Sequence, residues 1–430
     1  MTTSGTGLIV CPFDGEIHRV AELESVSDQT VVAEFDRRSQ LGLRSGEFEE
    51  VRSISEPPTG APESRPDLSW IGSFQKQEGL LDAISREVWF RLPCAIENHF
   101  LPERYVTAAL GGKASIVALA GLPGSGKTHL LTAIARSLGT NSLARGGLPI
   151  EHDTFRPNRH WQMFNREYVT PLFEEGKARP LTAHDALPYT SLLVEVREVG
   201  DAEGGEWLAV VDCAGEASLP QNLPHRGRYL ASADTVVICL DGDLVLASLE
   251  GHAGGQLAIN EEPALTGAGL MTFEYASSLA QYLSADVVRR HRRSLGQSPF
   301  PNVAVVVTKG DLILRKFRDH GLSIADRFEV LANLSPREEL DMGFVWERHR
   351  QVVALLVAAG LEPVVSEIAR LLPHPIYAFL SATGSAAAIS EDGDFVFERV
   401  EPQNVDFVVV NHLVSQGYLR AQVQGSFGPR

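Results

Sequence analysis

A lysine and a threonine closing a glycine-rich run are the residues in this chain best suited to do chemistry. GLPGSGKTHLL, Gly121 to Leu131, puts Gly121, Gly126, Lys127 and Thr128 at the fixed positions of G-x-x-x-x-G-K-[ST]. Pro123, Gly124 and Ser125 fill the loop, and His129 follows it. Glycines let the main chain wrap a phosphate with its N–H groups turned inward. The N-terminus of a following helix adds partial positive charge. In such a cradle Lys127 reaches the terminal phosphates and Thr128 offers its hydroxyl to Mg²⁺.

Three later segments end apolar runs in polar residues of matching chemistry. In DCAGE, Asp212 is placed to hold Mg²⁺ through water and Gly215 lets an N–H approach a γ-phosphate; Glu216 follows. In TKGD, the Asp311 carboxylate can accept hydrogen bonds from guanine N1–H and its 2-amino group. Adenine lacks both donors, and an unmet buried partner discriminates by a factor of ~10⁴ or more. Lys309 can lie along the base plane, and Thr308 can tie this loop to the phosphate loop. In SAT, from Ser381 through Ala382 to Thr383, a main-chain N–H can reach guanine O6.

Positioning these residues requires strands that end at one edge. SIVALAG precedes the glycine loop as a buried strand. Leu130, Leu131, Ile134 and Leu138 follow at helical spacing, with Gly139 at the C-cap. SLLVEVREV and EWLAVVDCAGE read as an antiparallel hairpin. TVVICLDGD, NVAVVVTKGD and IYAFLSATG read as strands separated by helices such as SSLAQYLSADVVRRH and VWERHRQVVALLVAAG. The expected fold is α/β: a mostly parallel six-stranded sheet with one antiparallel strand, helices on both faces, and ligands at the carboxyl edge. RPNRHWQMFNREYVTPLF is read as a helix docking its aromatic residues on the core, and NVDFVVVNHLVSQG as a final helix. The glycine-rich stretch 251–269 reads as a loop.

The expected organisation is a small N-terminal region and linker over 1–70, a helical lead-in over 71–104, the α/β domain over 105–420, and a polar tail over 421–430. The linker is EPPTGAPESRPD. The lead-in rests on Leu80, Leu81, Ile84, Val88 and Trp89 sharing a helical face.

The chain has 430 residues, 44% hydrophobic and 22% charged, which suffices for a sizeable core. With 38 basic and 55 acidic side chains the formal charge is −17, a poor match to a nucleic-acid backbone. No apolar run approaches the ~20 residues of a membrane span. The N-terminus lacks a signal-peptide pattern, and the four cysteines form no close pair, so a reducing cytoplasm is expected. Cys11 with His18, and Cys94 with His99, lack C-x-x-C spacing and are read as buried or incidental side chains.

GLPGSGKT, DCAGE, TKGD and SAT, in that order, resemble the Ras-like, translation-factor-type P-loop GTPases. More narrowly, DCAGE, the long segment ahead of it and the late Val-rich helix resemble the bacterial double-GTPase family. The resemblance implies GTP/GDP and Mg²⁺ as cofactors, hydrolysis of GTP to GDP and phosphate, and protein partners that read the switch segments in a bacterial multi-protein system. It also implies a zinc knuckle before the glycine loop, where CAIENHFLP carries a single cysteine and is read as a degenerate one. A switch threonine that binds Mg²⁺ is expected before the hairpin. Thr182 is chosen for it, with Thr154, Thr170 and Thr190 as rivals. Arg156, Arg159 and Arg226 are arginine-finger candidates, each also readable as a surface side chain.

Two departures bear on rate and specificity. Thr308 stands where the family has Asn, and Glu216 where Ras-like enzymes have a water-positioning Gln. An ionised carboxylate beside a triphosphate is repelled and donates no hydrogen bond, so slow intrinsic hydrolysis is expected. The competing classes are a P-loop small-molecule kinase, which has no use for TKGD, and a nucleotide-gated scaffold that does not hydrolyse. Cys213 after Asp212 argues against an AAA-type ATPase, which carries an acidic pair there.

Overall fold

The computed structural model describes residues 8–27, 30–31, 88–94, 98–139, 155–156, 159–177, 189–196, 206–213, 219, 221–223, 227–254, 267–319, 339–390, 395–417 and 420–422. Strands β1 (Leu8–Val10) and β2 (Ile17–Arg19) form a hairpin. Strands β3 (Glu24–Val26), β4 (Trp89–Pro93) and β5 (Asn98–Pro102) form a small antiparallel sheet. Helix α1 (Glu103–Leu110) then leads into β6 (Ala114–Gly121) and α2 (Lys127–Gly139).

Next come β7 (Phe155–Arg156), α3 (Arg159–Phe164), a π-helical turn over Asn165–Val169, and α4 (Thr170–Glu174). They lead to the hairpin β8 (Tyr189–Val196) and β9 (Glu206–Cys213). The rest of the chain alternates: α5 (Arg228–Ser232), β10 (Thr235–Leu240), α6 (Gly242–Gly254), α7 (Gly267–Ser284), α8 (Asp286–Ser294), β11 (Asn302–Val307) and α9 (Gly310–Asp319). It closes with β12 (Glu339–Asp341), α10 (Met342–Ala358), α11 (Glu362–Leu371), β13 (Ile376–Phe379), β14 (Ala388–Ile389), β15 (Phe395–Val396), α12 (Phe407–Ser415) and β16 (Arg420–Gln422).

The central sheet runs β13-β11-β10-β6-β9-β8-β7. Its first five strands are parallel, and β8 alone runs against them. The six expected strands are all present. A seventh, the two-residue β7, extends the edge beside β8 through pairs Phe155–Val196 and Arg156–Glu195.

Alternation along β6 shows why its sequence is apolar throughout. Ile116, Ala118 and Ala120 point into one core, with Tyr105 of α1 and Tyr275, Ala276 and Leu279 of α7. Val117 and Leu119 point into another, with Leu130, Leu131 and Ile134 of α2 and Val408 and Val409 of α12. A parallel strand covered on both faces has no solvent side to leave polar. Trp161 and Phe164 of α3 are buried in that second core, as the aromatic reading of this segment requires.

Three readings are corrected. Val88 and Trp89 do not sit on a helix: Trp89 opens β4 opposite Pro102 and is buried against Val31. Of the glycine-rich stretch, residues 251–254 and 267–269 are helical, ending α6 and opening α7. The tail is not merely polar at its start, since β16 pairs in parallel with β12. The linker Glu56–Asp67 lies outside the described residues.

Candidate nucleotide site

Strand register gathers the polar ends. Gly121 at the end of β6 stands beside Cys239 of β10. Leu240 stands beside Val307 of β11, and Val307 beside Phe379 of β13. On the other side Leu119 of β6 pairs with Asp212 of β9. The glycine loop, Asp212, TKGD and SAT therefore leave one edge of one sheet.

The loop turns between Gly121 and Lys127, where α2 begins. Gly124 and Gly126 have φ of 78° and 79°, in the region that glycine enters without steric cost, and a Cβ on either would meet open space. Backbone conformation, not crowding, demands glycine there. Gly121 is the opposite case: a Cβ would lie 2.5 Å from Ser125 Oγ and 2.9 Å from Cys239.

Lys127 is buried and curls over the loop, its ammonium donating to the carbonyls of Gly121 (2.9 Å) and Leu122 (3.0 Å). Thr128 Oγ1 donates to Asp212 Oδ2 at 2.6 Å, while Oδ1 of the same carboxylate is buried with no hydrogen-bond partner among the described residues. Burial raises the Asp212 carboxyl to about 6, against the opposing pull of Lys127 and the Thr128 hydroxyl. A hydroxyl and a half-satisfied carboxylate in contact form a hard oxygen pair, the donor type that Mg²⁺ takes. The His129 ring meets Phe397 edge-on at 5.8 Å. Burial, with Lys309 adding repulsion, lowers its imidazole to about 4.

At the other end of the site, Thr308 Oγ1 lies 2.8 Å from Ser125 O and 3.0 Å from Leu240 O, its one proton shared between the two carbonyls. The hydroxyl read as a tie between the two loops makes that tie. Lys309 has φ of 51°. Its ammonium pairs with Asp241 at 3.0 Å and Asp243 at 2.6 Å. Burial alone would lower its pKa, but the two carboxylates outweigh it and raise it. Gly310 packs so tightly that a Cβ would lie 2.4 Å from the Phe379 ring.

Asp311 is buried at the start of α9. Ser381 Oγ donates to its Oδ1 at 2.5 Å and accepts from Gly384 N–H at 2.8 Å. The second oxygen, Oδ2, has Arg315 at 3.8 Å and no hydrogen-bond partner among the described residues. Ala382 is buried beside it, and the Thr383 hydroxyl is spent on Ser385 O within its own turn. TKGD and SAT are thus held together by a side-chain bond and by Gly310 N–H donating to Leu380 O at 2.9 Å.

The switch residues are not tested by this geometry. Thr182, Gly215 and Glu216 lie outside the described residues, as do Thr154 and Arg226. Thr170 opens α4, Thr190 stands in β8 opposite Asp212, Arg156 lies in β7 and Arg159 opens α3. Sequence reasoning missed Asp241 and Asp243 as anchors for Lys309. Their signal was present, since LDGD ends a strand in the manner of the segments that were chosen.

Neither a protein-family model nor a curated protein matches the chain. Among solved structures, the S. cerevisiae Ski7 GTPase-like domain bound to GTP aligns with a TM-score of 0.29 and 12% identity. The same domain bound to GDP and inorganic phosphate aligns with a TM-score of 0.27, also at 12% identity. Both alignments cover 71% of this chain and 50% of the other, so the chain spans half the length of these structures. Likeness at that level decides nothing about this chain.

Proposed function

We propose that the chain is a guanine-nucleotide switch that hydrolyses GTP with Mg²⁺. The observation that supports the reading is the hydrogen bond from Thr308 to Ser125 O, which ties the segment carrying Asp311 to the glycine loop. Asp311 Oδ2 accepts from the base, and the SAT main chain donates to O6. Lys309, already held by two carboxylates, flanks the base. The loop N–H groups and Lys127 bind the phosphates. Thr128 and Asp212 hold Mg²⁺, the latter through water, and the ion supplies charge neutralisation at the β- and γ-phosphates.

Hydrolysis needs a water in line with the γ-phosphate, placed by a main-chain carbonyl or by Glu216. Lys127 and the loop amides offset the charge that develops on the bridging oxygen. Thr182 and Gly215 are proposed to sense the γ-phosphate and to let go when it leaves, changing the surface offered to a protein partner. A bacterial setting and membership of the double-GTPase family belong to the same proposal.

The test is phosphate release from GTP and ATP by the wild type, Lys127→Ala and Asp311→Asn. The reading expects GTP turnover above ATP turnover, loss of at least tenfold in Lys127→Ala, and loss of guanine preference in Asp311→Asn. Equal release by wild type and Lys127→Ala removes the enzymatic part. GTP binding without turnover leaves a nucleotide-gated scaffold.

A further inference from the structure

Residues 11–14 form a tight turn between β1 and β2. Cys11 N–H donates to Glu16 O at 2.7 Å, and Gly15 N–H donates to Cys11 O at 2.9 Å. Gly15 has φ of 75°, and a Cβ there would lie 2.5 Å from the Arg228 main chain, so both conformation and space require glycine. The turn puts the side chains of Cys11 and Asp14, three positions apart, on one side. Opposite them the chain leaves β4 at Cys94 and returns along β5, where His99 pairs with Leu92.

Sγ of Cys11, a carboxylate oxygen of Asp14, Sγ of Cys94 and a ring nitrogen of His99 all lie within 4.8 Å of one another, and all four residues are buried. Cys11 Sγ is 3.4 Å from His99 Nδ1, and Asp14 Oδ2 is 3.5 Å from the same nitrogen. A tetrahedral zinc ion with bonds of about 2.3 Å to sulfur and about 2.05 Å to nitrogen holds its sulfur and nitrogen ligands about 3.6 Å apart. The spacing seen is close to that of the edges of such a tetrahedron.

Asp14 supplies an independent indication. Its Oδ1 accepts from Glu16 N–H at 3.0 Å. Its Oδ2 is buried with no hydrogen-bond partner among the described residues and faces the cluster. His18 stands one layer out, with Nε2 3.2 Å from Cys94 Sγ and 4.0 Å from Glu16. Phe13, itself buried, packs on the His99 ring at 4.7 Å.

We infer that Cys11, Asp14, Cys94 and His99 form a closed four-ligand site for a structural Zn²⁺. Two thiolates, one imidazole and one carboxylate suit zinc better than harder cations, and four protein ligands leave no open position for catalysis. The site differs from a linear knuckle in CAIENHFLP. That segment gives Cys94 and His99, and the other two ligands come from the turn near the start of the chain. The ion clamps the β1–β2 hairpin to the β3–β4–β5 sheet across 88 positions of sequence. Cys11, Cys94 and Phe13 belong to the core that lies under β6, so the clamp braces the strand that ends in the glycine loop. This inference is independent of the nucleotide reading.

The test uses the full chain, purified without added metal and dialysed against a chelator. Mass spectrometry is expected to find about one zinc per chain. Cobalt substituted for zinc in the wild type is expected to give the intense visible bands of a tetrahedral ion and thiolate charge transfer. Cys11→Ser and Cys94→Ser are expected to lose bound metal at least tenfold, and Asp14→Asn to weaken it about tenfold or more. Asp14→Cys and Cys239→Ala keep it. The wild-type measurements stand even if a variant does not fold. Zinc well below one per chain together with a six-coordinate or absent cobalt spectrum overturns the site. Full zinc in Cys11→Ser overturns the ligand set, and loss in His18→Ala with retention in Asp14→Asn overturns the role given to Asp14.

Discussion

Asp212→Asn should make the nucleotide-free protein more stable at pH 8 while removing its response to Mg²⁺ and GTP. In the fold this carboxyl titrates near 6 rather than 3.8, chiefly because it is buried. The folded pKa lies above the unfolded one, so the folded chain holds the proton more tightly. Stability from this group is therefore highest below pH 4, falls as pH rises from about 4 to 6, and stays low above. The difference of about two units amounts to about 3 kcal/mol of penalty at pH 8. Asparagine carries no charge and can still accept the Thr128 hydroxyl through its amide oxygen. Its amide nitrogen must find a partner, which costs about 1 kcal/mol. The net gain at pH 8 is about 2 kcal/mol.

At pH 4 the wild-type carboxyl is largely protonated and the penalty is nearly gone, so only the cost of the amide remains. The two proteins should thus exchange rank between pH 4 and pH 8. Chemical denaturation of both, without nucleotide or divalent cations, measures this directly. GTP with Mg²⁺ should then raise the stability of the wild type and leave Asp212→Asn nearly unmoved. A variant that is less stable than wild type at both pH values, with no change of rank, refutes the argument that Asp212 is a strained, ion-ready carboxylate.

Two further substitutions test the base-binding end. Ser381→Ala removes the donor that orients Asp311, a charge-assisted bond worth about 1.5–3 kcal/mol. GTP affinity should fall about tenfold by calorimetric titration with little change in the fold, and an unchanged affinity would show that Asp311 positions itself. Thr308→Val leaves the Ser125 carbonyl without this buried donor, while Leu240 O keeps the main-chain N–H of residue 308, for a loss of about 1–3 kcal/mol in stability. Hydrogen exchange should rise in both loops together, not in TKGD alone.

What was legible in the sequence was local. The glycine loop, the strands that end at the ligand edge and α2 are each specified by residues within one turn or one strand of each other. The Thr308 tie to the glycine loop and the meeting of Asp212 with Thr128 followed because the order of strand ends fixes which loops meet. Trp89 was misread because Leu80, Leu81, Ile84 and Val88 set up a helical period that ran into it. Pairing with β5 decides its state, and Pro102 opposite it lies beyond any local window. β7 was missed because two residues carry no period at all; the edge of β8 recruits them. Cys11 with His18, and Cys94 with His99, were set aside for want of C-x-x-C spacing, and Asp14 was not weighed at all. Their second pair sits across a fold-level contact, and Asp14 occupies a place where a search for cysteines does not look.

The two ends of the cleft share one property that bears on how a ligand would engage them. Each recognition group is already answered by a neighbour: Lys127 by two carbonyls, Thr128 by Asp212, Asp311 by Ser381, Lys309 by Asp241 and Asp243. On the proposed reading a nucleotide would exchange bonds at these sites more than it adds them, and the exchange at Lys127 or Lys309 alone would gain little. The unmet acceptors differ: Oδ1 of Asp212 and Oδ2 of Asp311. On the proposed reading, satisfying them would return desolvation already spent in folding, and affinity would be gained at the Asp212 and Asp311 ends. Thr308 ties the loop before Asp311 to the glycine loop through Ser125 O. On the proposed reading, selectivity for an intact guanosine triphosphate would rest on satisfying both orphaned oxygens at once, across loops that the Thr308 bond holds together.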